Sequence, residues 1–255
     1  LHSAAQQRWP AAVARQFHAP EAISDASMEQ RWIWQQPNWP SFCWNAARLQ
    51  PLLEQAHQQR QRLAERLAGL DSHLASEALA ALLSRESLNT AAIEGEQLDP
   101  AEVRSSVARR LQLPLEPAQA RSSARVDGLV RLVWAATDQL EQPLTQAALH
   151  DWHRGLFAEG SEGLRAVAIG ELRGPLPMQV VSGAIGRERL HFEAPPRSGL
   201  EVELARWLDW FQHPPEGLDG LLRAGLAHLW FITLHLYEGA QGLLRRAGAH
   251  PARGA

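Results

Sequence analysis

The segment that decides the architecture is Leu221-Leu222-Arg223-Ala224-Gly225-Leu226-Ala227-His228-Leu229-Trp230-Phe231-Ile232-Thr233-Leu234-His235. Leucines and aromatics fall on almost every side of a 3.6-residue period, and a helix that is apolar all round sits at the centre of a bundle. The segment therefore predicts a buried helix over 218–235. It delivers His235 at its C-terminal end, ahead of a loop that holds Gly239 and Gly242. Taken alone, a histidine in that place has two readings, a structural side chain or a catalytic one.

Working outward, other segments carry helical spacing and end signals. Leu49, Leu52, Leu53, Ala56, Leu63 and Leu67 share a face between Asn45 and Leu70. Gly69 closes that helix, and Asp71-Ser72 can cap a second that runs to Ile93 and stops at Gly95. Asp99-Pro100-Ala101-Glu102 gives an N-cap, a proline at the first helical position and a glutamate at the third. Further helices are predicted over 117–139, 145–157 and 200–212, with Thr145 as an N-cap. The pattern breaks over 176–194, where two short β-prone pieces flank a glycine-containing turn and read as a hairpin. The fold class expected is all-α with one small β-hairpin. A lone hairpin among helices is more often a loop that touches something than part of a core.

The chain has 255 residues, 45% of them hydrophobic, enough for a core. Its formal net charge of −3 and pI of about 6.4 give no footprint for nucleic acid or for an anionic membrane surface. A single cysteine, Cys43, excludes an intrachain disulfide and reads as a small buried hydrophobe in a reducing compartment. No apolar run reaches the roughly 20 residues needed to span a bilayer, and the first residues lack a secretory h-region. The location expected is cytoplasmic. Residues 1–28 show no sustained period and read as a disordered extension, with Met28 as the expected start of translation. An N-terminal helical region is expected over 29–113, a second unit over 115–239, and a disordered tail over 240–255.

With these pieces in order, the chain resembles the Fic (Fido) family of protein adenylyltransferases. The segment Ala227 to His235 resembles the helix leading into the Fic motif, HPFx(D/E)GNGRxxR. Ile33-Trp34-Gln35 with Trp39-Pro40 and Phe42 resembles the N-terminal region of one Fic subgroup. Thr90-Ala91-Ala92-Ile93-Glu94-Gly95 fits the inhibitory pattern (S/T)xxxE(G/N). Gly170-Glu171-Leu172-Arg173, followed by Gln179-Val180-Val181-Ser182-Gly183, resembles the flap that aligns a target segment by β-strand addition. Each motif is moderately specific; their order and spacing carry the resemblance, over about Met28 to His235.

The resemblance implies AMP transfer from ATP to a Ser, Thr or Tyr hydroxyl of a target protein, with His235 as general base. It implies that the loop after His235 cradles the ATP phosphates, with Glu238, Gly239, Gly242 and Arg246 in the matching positions. Glu238 stands where an acidic residue binds Mg²⁺, and Thr90, Glu94 and Gly95 where the inhibitory helix ends. A homo-oligomer is compatible with it.

The match fails within the loop. Aligned without gaps, His235, Tyr237, Gly242 and Arg246 are kept, but Gly239, Gln241 and Leu243 replace the acidic residue, the asparagine and the first arginine. If one residue is lost after His235, Glu238 and Gly239 fall into place and the asparagine, second glycine and first arginine are still missing. The tail after Gly239 reads like another frame, so the expectation is a degenerate or truncated motif with weak transfer. The alternative is a non-catalytic protein-interaction module, or an inactive gene product. Blander readings stand beside the sharp ones. Glu94 fits an ordinary helix end, and the tryptophans of 32–44 fit a packing plug. Val180 and Val181 fit plain strand residues, and His150 and His153 fit two solvated histidines rather than metal ligands.

Overall fold

The computed structural model describes residues 5–8, 31–93, 96–114, 121–138, 142–157, 168–182 and 187–239. Seven helices and a small sheet make up the described chain: β1 (Ala5–Arg8), α1 (Ala46–Ala68), α2 (Ser72–Ile93), α3 (Pro100–Arg110), α4 (Ala124–Asp138), α5 (Gln146–Leu156), β2 (Met178–Ser182), β3 (Arg189–Glu193), α6 (Leu200–Gln212) and α7 (Gly220–Leu234). The expected all-α architecture with one hairpin is what forms.

Helix starts follow the side chains that can take the orphan backbone N–H groups of a first turn. The side chains of Asn45, Asp99 and Thr145 accept from Arg48, Ala101 and Ala148 at the starts of α1, α3 and α5. Asp71 accepts from Leu74 at the start of α2. At α7, Asp219 accepts from both Leu221 and Leu222, and His57 Nε2 reaches its other oxygen at 2.5 Å, tying α1 to that cap. Asp219→Ala is expected to cost about 1–2 kcal/mol, at the upper end of the range for a lost N-cap, read as a lower urea midpoint with unchanged slope.

Two boundaries differ from expectation. The helix expected over 117–139 starts at Ala124. Residues 121–123 run into it irregularly, with Ser123 held by the Glu102 carboxylate through both its N–H and its hydroxyl. Within the stretch read as a disordered extension, residues 5–8 form β1. It pairs parallel with β2, Ala5 opposite Met178 and Arg8 opposite Val181. Strands β2 and β3 form the predicted antiparallel hairpin, with an irregularity between Val180 and Val181.

The core joins all helices except α1. Leu83, Val103, Val107, Leu129, Val133, Leu149, Leu204, Trp207, Phe231 and Leu234 are among its buried members. Helices α4 and α5 approach so closely at Gly128 and Gly155 that a Cβ on Gly128 would stand 1.9 Å from the Gly155 carbonyl oxygen. Helix α7 is central over its second half only. Ala227, Trp230, Phe231, Thr233 and Leu234 are buried, whereas Leu229 is 40% exposed, so the all-round apolar pattern overstates its burial. Helix α1 has no buried residue; its predicted face leaves Leu52, Leu63 and Leu67 exposed.

The aromatic segment 32–44 packs as a plug. Trp39 and Phe42 meet Trp230 edge-on, with ring centroids at 5.9 and 6.2 Å. The Trp39 indole N–H donates to Glu203 at 3.0 Å. Trp34 donates to the Glu193 carbonyl at 2.8 Å and Trp32 lies edge-on to Phe192, so the segment seals the outer side of β3. Cys43, expected to be buried, is exposed; it lies in the irregular stretch ahead of α1, off the faces that meet the core. Among the described residues no helix is long and apolar enough to cross a membrane.

Candidate functional site

Helix α7 must end where His235 stands, because that residue adopts φ 51° and ψ 54°. Left-handed backbone is unfavourable for a residue with a Cβ, so it persists only where the surroundings hold it. Arg173 does this from two directions. Its Nε–H donates to the His235 carbonyl at 2.7 Å, and its backbone N–H donates to the Leu236 carbonyl at 2.9 Å. A further guanidinium N–H donates to the Pro195 carbonyl, just beyond β3. The side chain is 1% exposed, and burial brings its pKa down to about 10.

The next residues are held as firmly. The Gly174 N–H donates to Glu238 Oε1 at 3.1 Å. His153, on α5, bridges the Gly170 turn to the same loop: Gly170 N–H donates to its Nδ1 at 2.9 Å, and its Nε2 lies 2.9 Å from the Glu238 carbonyl. Because Nδ1 must accept, the proton sits on Nε2 and the ring is neutral. Burial also pushes the imidazole below its ordinary value. Tyr237 packs on that ring at 4.9 Å and its hydroxyl is bonded to His150 at 3.1 Å. Burial drives the phenol pKa up. Gly239 then turns with φ 78°.

The reading of His150 and His153 as two solvated histidines is therefore corrected. His153 is fully buried and His150 half-buried and hydrogen-bonded.

The sites expected from sequence are only partly brought together. His235, Glu238 and Gly239 share one short loop, and His235 itself is 5% exposed. The hairpin residues are tied to that loop through Arg173 and Gly174. Gln179 donates to the Glu193 carboxylate, Val181 is buried and Ser182 bonds to His191. Thr90 is buried near the end of α2, its hydroxyl donating to Glu86 at 3.3 Å. Glu94, Gly95, Gly183, Gly242 and Arg246 lie outside the described residues.

Comparison with known proteins bears on the same arrangement. Residues 32–113 match the model of a domain of unknown function, DUF4172. Among curated proteins none matches. A solved structure of a Fic family protein from Desulfovibrio desulfuricans G20 superposes with a TM-score of 0.51 at 19% identity, over 82% of this chain and 58% of that one. A Fic domain containing signaling protein from Bacteroides thetaiotaomicron VPI-5482 gives 0.55 at 18% identity, over 76% of this chain and 70% of that one. The chain has the Fic fold.

Of the residues expected to hold a nucleotide and a metal, Glu238 and Gly239 are the ones among those described. Glu238 is one carboxylate, already engaged by Gly174, and no group of three His, Cys, Asp or Glu among the described residues could hold a metal ion. Two described arginines beside the loop have partners elsewhere: Arg173 on the His235 and Pro195 carbonyls, Arg154 on Asp151 and the Gly170 carbonyl. Sequence reasoning quoted Arg173 as a marker of the flap and missed its role. Only the glycine three residues before it hinted at a tight turn.

Proposed function

We propose that the chain is a Fic-type protein adenylyltransferase scaffold, built to move AMP from ATP to a hydroxyl of a target protein, and that its transfer is weak. The observation that carries the reading is the held loop at the end of α7, which fixes His235 next to the base of the hairpin. There His235 would accept the hydroxyl proton as the oxygen attacks the α-phosphorus of ATP and pyrophosphate leaves, a role that rewards positioning. The weakness follows from the loop's composition: Gln241 and Leu243 stand where the motif has asparagine and arginine. Phosphate charge would have Arg246 and few other partners, and no step is assigned to a metal. Helix α2 ends at Ile93, one residue before Glu94, for which the inhibitory role is part of the proposal. A target strand would add to β2 and would have to displace β1, because β3 is covered by Trp34 and by Arg31, which donates to the Leu190 carbonyl.

A second reading, a non-catalytic interaction module, is favoured by the commitment of Arg173 and Arg154 to carbonyls and Asp151. Calorimetry separates the two. Weak Mg-ATP binding that disappears in His235→Ala and in Arg246→Ala supports the scaffold; no ATP binding with retained peptide capture supports the module. Labelled ATP given to Glu94→Gly is expected to leave little label on the protein. Robust self-labelling would overturn the weak-transfer half.

A further inference from the structure

We propose that Arg173 is the positioning residue of His235, a buried clamp that registers the hairpin against the histidine loop. The inference deepens the functional reading above, since it concerns the same histidine, but it does not need nucleotide to bind. Removing a guanidinium from water is costly, and a buried one normally faces a carboxylate. Arg173 instead spends its N–H groups on backbone carbonyls of two separate segments, His235 and Pro195. The first belongs to the end of α7, where the last carbonyls of a helix carry the negative end of its dipole and attract a cation. The Glu238 carboxylate, held by the neighbouring Gly174 N–H, offsets part of the cost and favours the charged form.

The geometry suits arginine alone. Its planar fork presents several donors at fixed angles, so one side chain can reach carbonyls on two segments; a lysine ammonium is a point donor on a flexible stem. The main chain of residues 173–174 meanwhile runs beside 236–238, with Arg173 N–H on Leu236 and Gly174 N–H on Glu238. Three pieces thus close on one buried charge: the turn that enters the hairpin, the exit from β3, and the left-handed residue that ends α7. A side chain that only filled space there would offer the His235 and Pro195 carbonyls no charged donor.

The test begins in the unaltered protein. The Arg173 Nε–H should give a nitrogen-15 NMR signal protected from solvent exchange, with a hydrogen-bond coupling to the His235 carbonyl carbon. An unprotected, uncoupled signal would overturn the proposal even if no variant folds. Arg173→Lys and Arg173→Gln should then keep the helical circular dichroism. They should speed amide exchange after the clamp, at Leu236 and Tyr237, by about tenfold or more, the factor expected for loss of a charge-assisted hydrogen bond. The His235 imidazole resonance, assigned by its loss in His235→Ala, should move in both. Val107→Ala, a core truncation on α3, supplies a variant of lowered stability, and it should leave both signals in place. Unchanged exchange and an unmoved His235 resonance in Arg173→Lys, or the same changes in Val107→Ala, would reduce Arg173 to an ordinary core residue.

Discussion

Gly128→Ala is expected to destabilise the chain by about 3 kcal/mol or more, at or beyond the top of the range for an overpacked core. The new methyl would stand 1.9 Å from the Gly155 carbonyl oxygen and 2.8 Å from its carbon. Both are backbone atoms of α5, so relief requires the helices to part, and both helices contribute to the core, α4 with Val126, Leu129 and Leu132, α5 with Leu149 and Leu156. Typical domains hold only about 5–15 kcal/mol in all. Gly155→Ala provides the internal comparison. Its methyl would meet only the end of the Arg131 side chain, at 3.1 Å, and a flexible guanidinium can swing aside. Alanine also gains about 1 kcal/mol of helix propensity over glycine at both positions, so Gly155→Ala should be near neutral. Urea melts of the two variants measure the contrast; equal midpoints would mean the helices are not in close contact.

His153→Leu is the second large effect, expected at about 2–5 kcal/mol. It strands the Gly170 N–H and the Glu238 carbonyl together, each costing about 1–3 kcal/mol when buried without a partner. The same residue sets a pH slope. Its native pKa lies below the ordinary 6.5 because the ring is buried, so the unfolded chain takes up the proton first. Its contribution is whole above about pH 6.5, and it is lost as pH falls from there through the lower native value. Thermal melts of the unaltered protein should drop across that window more steeply than those of His153→Leu. Parallel curves would show that His153 is not held neutral in the native state.

How far the fold was readable from sequence differs from element to element. Local chemistry placed α3, because Asp99, Pro100 and Glu102 act within one turn, and it placed α5 through Thr145. The hairpin was legible because its two β-prone pieces lie close together along the chain. The start of α4 was not: Ser123 is taken out of the helix by Glu102, a partner 21 residues earlier. Nor was the fate of α1, whose leucines have helical spacing while Leu52, Leu63 and Leu67 stay exposed. At the candidate site, the place of His235 at the end of α7 was legible from the apolar helix before it. His153 looked solvated between Trp152 and Arg154, since its partner Glu238 lies 85 residues away. Arg173 was quoted without its role for the same reason, as its bond to His235 spans 62 residues. Periodicity reports which face of an element is apolar; it carries no signal for a polar side chain buried by a distant segment.

The tryptophan plug has a consequence for the order in which the chain is made. Trp34 closes on Glu193, 159 residues later in synthesis, and Trp39 waits longer still, for Trp230. At about 5–20 residues per second, Trp34 leaves the ribosome roughly 8–30 s before its partner exists. Throughout that interval Trp32, Trp34, Trp39 and Phe42 form a sticky apolar cluster on an unfinished chain. The growing polypeptide therefore presents this handle to a chaperone well before Glu193 and Trp230 are made, and folding can lock it away only once they have emerged.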